Sequence, residues 1–251
     1  MRRLVRYLVI LGVLGIVSSG VLVGCLYRAA QQAPNFYAQA LQAPPEVQAE
    51  AGDELERKLL DLRNDLRSQG RFDVQFTHDQ INGWLAADLP EKFPQLVPRG
   101  VSDPRIAFEP DLTRLACKYQ DSRISAVVSL DADVYLTEDP NVVAVRLRQV
   151  RAGALPIPLG QFLDQISHHA TDAGLPLQWS EIDGDPLALV TIPPLVDERA
   201  NTLLHLDAIE VLDGKVRFAG RTEPLSTERP DGGTNYRQAS DSGRKKRATQ
   251  L

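Results

Sequence analysis

Between residues 101 and 155 apolar side chains fall at every second position. Over 124–136 the rule is strict: Ile124, Ala126, Val128, Leu130, Ala132, Val134 and Leu136 alternate with Ser125, Ser129, Asp131 and Asp133. A strand of that pattern buries one row of side chains and wets the other. Leu115, Cys117 and Tyr119 alternate before it, and Val143, Val145 and Leu147 after it. The links between these runs are short (Gln120-Asp121-Ser122 and Glu138-Asp139-Pro140-Asn141), which predicts an antiparallel meander. The alternation slips near Arg148-Gln149-Val150, where a bulge or bend is expected.

Around this core the period changes to that of a helix. Leu55, Leu59, Leu62 and Leu66 recur at helical spacing from a start near Glu46, and Gly70 supplies a stop. Heptad-like spacing fits a dimerising stalk, but two heptads are short for a coiled coil, and packing on the protein's own sheet is favoured. In Phe76-Thr77-His78-Asp79-Gln80-Ile81, Thr77 and Gln80 form a capping box, and Phe76 and Ile81 a hydrophobic staple. Ile81, Trp84 and Leu85 face inward on a short helix expected to end before Pro90. A second amphipathic helix follows Pro156 and Pro158, burying Leu159, Phe162, Leu163, Ile166 and Ala170, with Gly174 and Pro176 at its end. Short strands are expected at 176–182 and 186–192, and a hairpin at 204–211 and 215–218 turns on Asp213-Gly214. From 221 to 251 the chain is polar and charged and reads as a disordered tail. These elements predict one α+β domain over 46–220, a long curved antiparallel sheet with amphipathic helices on one face.

The amino end is different. Tyr7-Leu8-Val9-Ile10-Leu11-Gly12-Val13-Leu14-Gly15-Ile16-Val17-Ser18-Ser19-Gly20-Val21-Leu22-Val23-Gly24-Cys25-Leu26-Tyr27 carries no charge. As a helix it reaches about 30 Å, the thickness of the hydrocarbon layer. Arg2, Arg3 and Arg6 precede it, and after Arg28 the next charge is Glu46, so the N-terminus is expected in the cytoplasm and the domain outside. Leu22-Val23-Gly24-Cys25 also resembles a lipobox, in which Cys25 is acylated; Leu26 and Tyr27 continue the apolar run and favour a spanning anchor at 1–28. Residues 29–45, uncharged and closed by Pro44-Pro45, read as a juxtamembrane linker.

Charge narrows the partners. The net −5 divides into +4 over 1–28, +3 over 221–251 and therefore −12 over 29–220. A body that acidic excludes a nucleic-acid binder of the ordinary basic kind. Two cysteines, Cys25 and Cys117, exclude a disulfide scaffold.

Candidate chemistry is sparse. No phosphate loop, dinucleotide fingerprint, nucleophile elbow or zinc-protease helix occurs. Asp164, His168 and Asp172 share a helix face at spacing four, yet that face is the polar one, and His169 points about 100° away from His168. Asp131 and Asp133 share a strand face, where acids ordinarily serve as solvation. Cys117 lies on the Leu115/Tyr119 face and reads as core. Arg244-Lys245-Lys246-Arg247 ends the tail and reads as solubilising, with anionic headgroups or an acidic partner as the alternative. No catalytic, cofactor-binding or metal-binding residue is assigned, and no cofactor is expected.

Gly153-Ala154-Leu155-Pro156-Ile157-Pro158, the following Phe162-Leu163 and Ile166, Leu175-Pro176, and Leu206-Asp207-Ala208-Ile209-Glu210-Val211 with the Asp213-Gly214 turn resemble the YpmS-like family of bacterial membrane-anchored proteins. Phe76-Thr77 and Asn82-Gly83-Trp84-Leu85 are similar to the helix start before the sheet in that family. The resemblance covers roughly 72–220 and implies a tethered extracytoplasmic domain, without catalytic residues to carry over. The segment 86–104 and the basic tail depart from the pattern. Two functions are expected to compete. One is binding of a lipid or other apolar ligand in a groove lined by Ile124, Val128, Leu130, Val134, Leu136, Phe162, Leu163 and Ile166. The other is scaffolding of an envelope protein partner through the sheet edge or the helix at 46–69.

Overall fold

The computed structural model describes residues 28–29, 32–68, 70–122, 125–158, 160–172, 176–197 and 202–224. The elements are α1 (Asn35–Ala40), α2 (Pro45–Arg67), β1 (Gly70–Thr77), α3 (His78–Lys92), β2 (Val101–Glu109), β3 (Leu112–Gln120), β4 (Ser125–Leu136), β5 (Val142–Ala152), β6 (Leu155–Ile157), α4 (Gly160–Asp172), β7 (Leu177–Ile182), β8 (Asp185–Thr191), β9 (Leu195–Asp197), β10 (Thr202–Leu212) and β11 (Lys215–Pro224).

The meander forms as the alternation requires, with β3, β4 and β5 antiparallel and adjacent. The register shifts opposite Asp131 and Ala132, which pair with Gln149 and Leu147 and leave Arg148 as the extra residue of a bulge. β2 adds to one side and β8 and β7 to the other, and β6 pairs with β5. The alternation alone suggested a single sheet; the described chain builds two. β1 pairs along its full length with β11, and with β10 and β9 these strands form a separate four-stranded antiparallel sheet. The reason is in β1 itself, where Phe72, Val74 and Phe76 alternate with Arg71, Asp73 and Gln75. β11 pairs with the edge of β1, which sets Val74 and Phe76 beside Phe218 and Val216 on one face, and that face packs on the larger sheet. β11 runs on to Pro224, past Gly220, because Arg221 and Thr222 still pair with β1.

The core lies between the two sheets rather than between a sheet and helices. Phe76, Ile209, Val211 and Val216 of the smaller sheet pack with Phe108 and Val143 of the larger one and with Leu55 of α2. Val134, Leu136 and Val145 pack against this cluster. Asn141, in the β4–β5 turn, ties the sheets together. Its Nδ2 donates to Leu204 O at 2.7 Å, and its Oδ1 accepts from Leu206 N at 2.8 Å. The opposite face of the smaller sheet is wet, and Arg217 there bridges Asp73 and Glu210.

The helix pair closes the β2 side. Thr77 caps α3 through the expected box, its Oγ1 accepting from Gln80 N at 3.2 Å while Gln80 Oε1 accepts from Thr77 N at 3.1 Å. α3 runs through Pro90 to Lys92 instead of ending before it. Proline removes one backbone bond in that last turn, and Lys92 secures the end by bridging Glu56 at 2.5 Å and Asp88 at 2.7 Å. On α2, Leu55 and Leu62 turn inward, but Leu59 is 44% exposed and the adjacent Leu60 is 58% exposed. The stretch read as a linker carries α1, whose Tyr37 has no exposed surface. Among the described residues no helix is long and apolar enough to cross a membrane. The leader at 7–27 lies outside them, as do Ile124 and the tail from 225 on.

Candidate functional site

Cross-strand partners share a face, so the registers sort the larger sheet into two surfaces. The apolar surface carries Ile106–Leu115–Leu130–Val150 as one row across β2 to β5, with Cys117 opposite Val128 in the next. Val134, Val145 and Trp179 belong to the same surface at the other end of the strands. The smaller sheet covers that other end. α4 lies over the β7 side, where Trp179 Nε1 donates to Ser167 Oγ at 2.6 Å. What remains is a strip over β3 and β4: Leu115 is 38% exposed, and Cys117, Val128 and Leu130 are half-buried. Burial pushes the Cys117 thiol up from its ordinary value, away from the thiolate that would make it a nucleophile.

The groove residues expected from the sequence therefore divide. Val128 and Leu130 lie on the strip, and Leu163 and Ile166 are half-buried on α4. Val134 and Leu136 are taken up by the core. Ile124 and the side chain of Phe162 lie outside the described residues.

The opposite surface is polar, with Arg105–Ala116–Ser129–Arg151 and Ala107–Arg114–Asp131–Gln149 as its rows. One cleft opens on it and a second lies at its β2 edge under the helices, and Phe36 from α1 lines both. The first, of about 230 Å³, has Arg114, Ser129, Asp131 and Arg151 as its floor and Ala33, Pro34 and Phe36 as its roof. The second, of about 280 Å³, runs between α1, α2 and α3 and is lined by Ala40, Ala43, Val47, Ala51, Ile106 and Ala107 among others. The residues expected to line the groove line neither cleft. The chain is held at the first cleft by Ala154 N, which donates to Ala29 O at 2.8 Å. Tyr37 follows Phe36 into the body near Asp103 and Arg105, where burial pushes its phenol up to about 12.

Asn82 and Gly83, on α3, set how the helices meet this sheet. The Asn82 amide satisfies the free edge of β2: Nδ2 donates to Ile106 O at 2.8 Å, and Oδ1 accepts from Ile106 N at 2.7 Å. Gly83 lets α2 cross against α3, since a Cβ there would stand 2.7 Å from Gly52 N and 2.8 Å from Ala51 Cβ. Trp84 Nε1 then reaches Glu56 Oε1 at 3.3 Å. The bond from Lys92 holds the Glu56 carboxyl below its ordinary value.

The other candidates fall apart as centres of chemistry. Asp133 is bound by Arg148 at 2.7 Å, and Asp131 has Arg114 at 3.7 Å, so each carboxylate of the strand pair faces an arginine. Asp164 and His168 are exposed on α4, and the side chains of His169 and Asp172 lie outside the described residues. Among the described residues no group of histidine, cysteine and carboxylate side chains is placed to hold a metal ion. Cys25 and the basic run at 244–247 lie outside those residues. What sequence reasoning missed is the polar surface: its arginines come from different strands, and only register brings Arg114 and Arg151 to one cleft. No protein-family model, curated protein or solved structure matches the chain.

Proposed function

We propose that this protein is a membrane-tethered, extracytoplasmic binding module without catalytic activity, which holds a lipid acyl chain or similar apolar ligand on the uncovered strip of its larger sheet. The observation that carries the reading is Leu115. It is 38% exposed in the middle of an otherwise apolar face, beside half-buried Leu130 and Val128. Apolar surface of that kind gains on the order of 25 cal/mol per Å² when a ligand covers it. The uncharged leader at 7–27 keeps the module beside its lipid source, in keeping with the resemblance to YpmS-like proteins. The test is native mass spectrometry of the full chain in mild detergent, with extraction into organic solvent. A bound lipid that is lost when Leu115 and Leu130 become Asp supports the reading; a bare mass in the parent protein refutes it. Topology is tested separately by a reporter fused after Leu251, which should be active only outside the cytoplasm.

Scaffolding is the second reading, and exposed apolar side chains on the helix pair favour it. Leu59 and Leu60 follow Glu56 by one turn, and Phe93 and Leu96, 38% and 59% exposed, follow Lys92, the residue bound to Glu56. The informative substitutions are Leu59→Asp with Leu60→Asp; Leu62 belongs to the core. Loss of a crosslinked heteromer in intact cells would favour this reading over the strip.

A further inference from the structure

We infer that the cleft between Arg114 and Arg151 binds the phosphate of an anionic phospholipid, at a site on the opposite face of the sheet from the apolar strip. The inference rests on the tethered reading for its source of lipid and on geometry for its chemistry. Two guanidinium groups reach one cleft from β3 and β5, in a body whose net charge is −12 over 29–220. Guanidinium is the side-chain group best matched to phosphate oxygens, because its N–H donors form a planar fork.

The two arginines are not equivalent. Arg114 Nη1 is bound to Glu109 at 2.9 Å, and Asp131 stands 3.7 Å from its Nε. Arg151 gives one bond to Gln149 Oε1 at 2.7 Å and, among the described residues, pairs with no carboxylate. Arg151 is therefore the primary anion contact, Arg114 the second, and Asp131 sets a limit on total negative charge. Ser129 lies directly across the strand pair from Arg151 and adds a hydroxyl to the floor.

The apolar roof separates this site from one for a free anion. Ala33, Pro34 and Phe36 line the first cleft with the arginines, and Phe36 also lines the second, where Ala40, Ala43 and Val47 stand with polar Gln39, Gln48, His78 and Asp79. Ala107 of that second cleft is the direct cross-strand partner of Arg114 in the first. A phosphate on the arginines thus places an attached acyl chain against Ala33, Pro34 and Phe36. The Ala154–Ala29 bond fixes the chain at the wall of the first cleft two residues after the leader ends. A headgroup in the surrounding leaflet is then within reach of the site.

The experiment is a calorimetric titration of the detergent-solubilised full chain with three probes: dioctanoyl phosphatidylglycerol, dioctanoyl phosphatidylcholine and inorganic phosphate. The glycerol lipid should fill one site per chain more than the choline lipid, which reaches only the apolar strip, and should bind that site more tightly than inorganic phosphate does. Arg151→Gln, at an exposed position, should weaken it by about tenfold or more, as expected for a charge-assisted contact. Phe36→Ala should weaken the lipid and leave inorganic phosphate unchanged. Equal affinity of the Arg151→Gln variant and the parent overturns the inference, as does equal binding of the choline lipid. Binding of inorganic phosphate as tight as the lipid also overturns it, in favour of a soluble-anion site. The probes are dispersed lipids, so the result does not depend on whether the leader spans a membrane. Leu115→Asp with Leu130→Asp should remove the binding that the two lipids share and leave the Arg151-dependent excess of the glycerol lipid, which separates failure of this site from failure of the apolar strip.

Discussion

Replacing Asn141 tests whether the two sheets are held together by one side-chain amide. Asn141 is 5% exposed and bonds β10 at two points, Leu204 O and Leu206 N. Its own backbone oxygen accepts from Ile192 N at 2.8 Å, and its φ is 58°. In Asn141→Ala both β10 groups lose their partner at a part-buried site, at about 1–3 kcal/mol each. Alanine in the left-handed region adds about 1 kcal/mol. The sum, about 3–7 kcal/mol, corresponds to a fall in melting temperature of roughly 6 °C or more for a domain of this size. Asn141→Gly loses the same two bonds but not the backbone preference, so it should be the more stable of the two by about 1 kcal/mol. Urea unfolding of the full chain in mild detergent, followed by tryptophan fluorescence, measures both through the midpoint at constant slope. A loss below about 1 kcal/mol in Asn141→Ala would refute the clamp. A glycine variant weaker than the alanine variant would refute the backbone part.

Three further outcomes follow from other contacts. Gly83→Ala should cost about 1–3 kcal/mol or more, because the new methyl meets Gln48 O, Gly52 N and Ala51 Cβ at the helix crossing; denaturant midpoints check it, and a neutral result means the crossing is looser than described. Tyr37→Phe removes a buried hydroxyl that meets the Lys118 backbone without a well-aligned hydrogen bond, so stability at neutral pH should change by no more than about 1 kcal/mol. In the parent, the unfolded phenol ionises near 10.0 and the folded one near about 12, so the Tyr37 contribution is present below pH 10.0 and declines as pH rises through 12. Thermal melts of Tyr37→Phe should lack that decline. At the acid end Arg217 holds the Asp73 carboxyl below its ordinary 3.8, so its contribution is present above that value and lost as pH falls through the lower folded value. Asp73→Asn should flatten the acid limb of a stability–pH profile, and an unchanged limb would discount the ion pair.

Local structure was legible in the sequence wherever one residue type has one use. The Thr77/Gln80 box, the Asp213-Gly214 turn and the Arg148 bulge all form from nearby residues alone, and all three are present. The division into two sheets was legible in part. Phe72, Val74 and Phe76 show the alternation of β1, but nothing in that run says that its partner is β11, some 140 residues away in the chain. The Leu59 position was misjudged for a related reason. Helical spacing says which residues share a stripe, whereas the close crossing at Gly52 and Gly83 decides how much of the stripe is covered.

The surfaces proposed for binding mark the limit more sharply. Asp131 and Arg114 are 17 positions apart and Arg151 is 20 beyond Asp131, so no motif search would group them; register alone does so. The same register puts Leu115 and Leu130 on the reverse side, one residue away from Arg114 and Asp131 along each strand. An alternating strand has two faces, and in this sheet neither is wholly covered by the rest of the described chain. The smaller sheet takes one end of the apolar face, and α1 with the extended segment before it takes part of the polar one. Substitution on one face should therefore leave binding on the other intact. Loss of both functions from a single change at Leu130 would mean that the sheet itself, rather than either surface, had been disturbed.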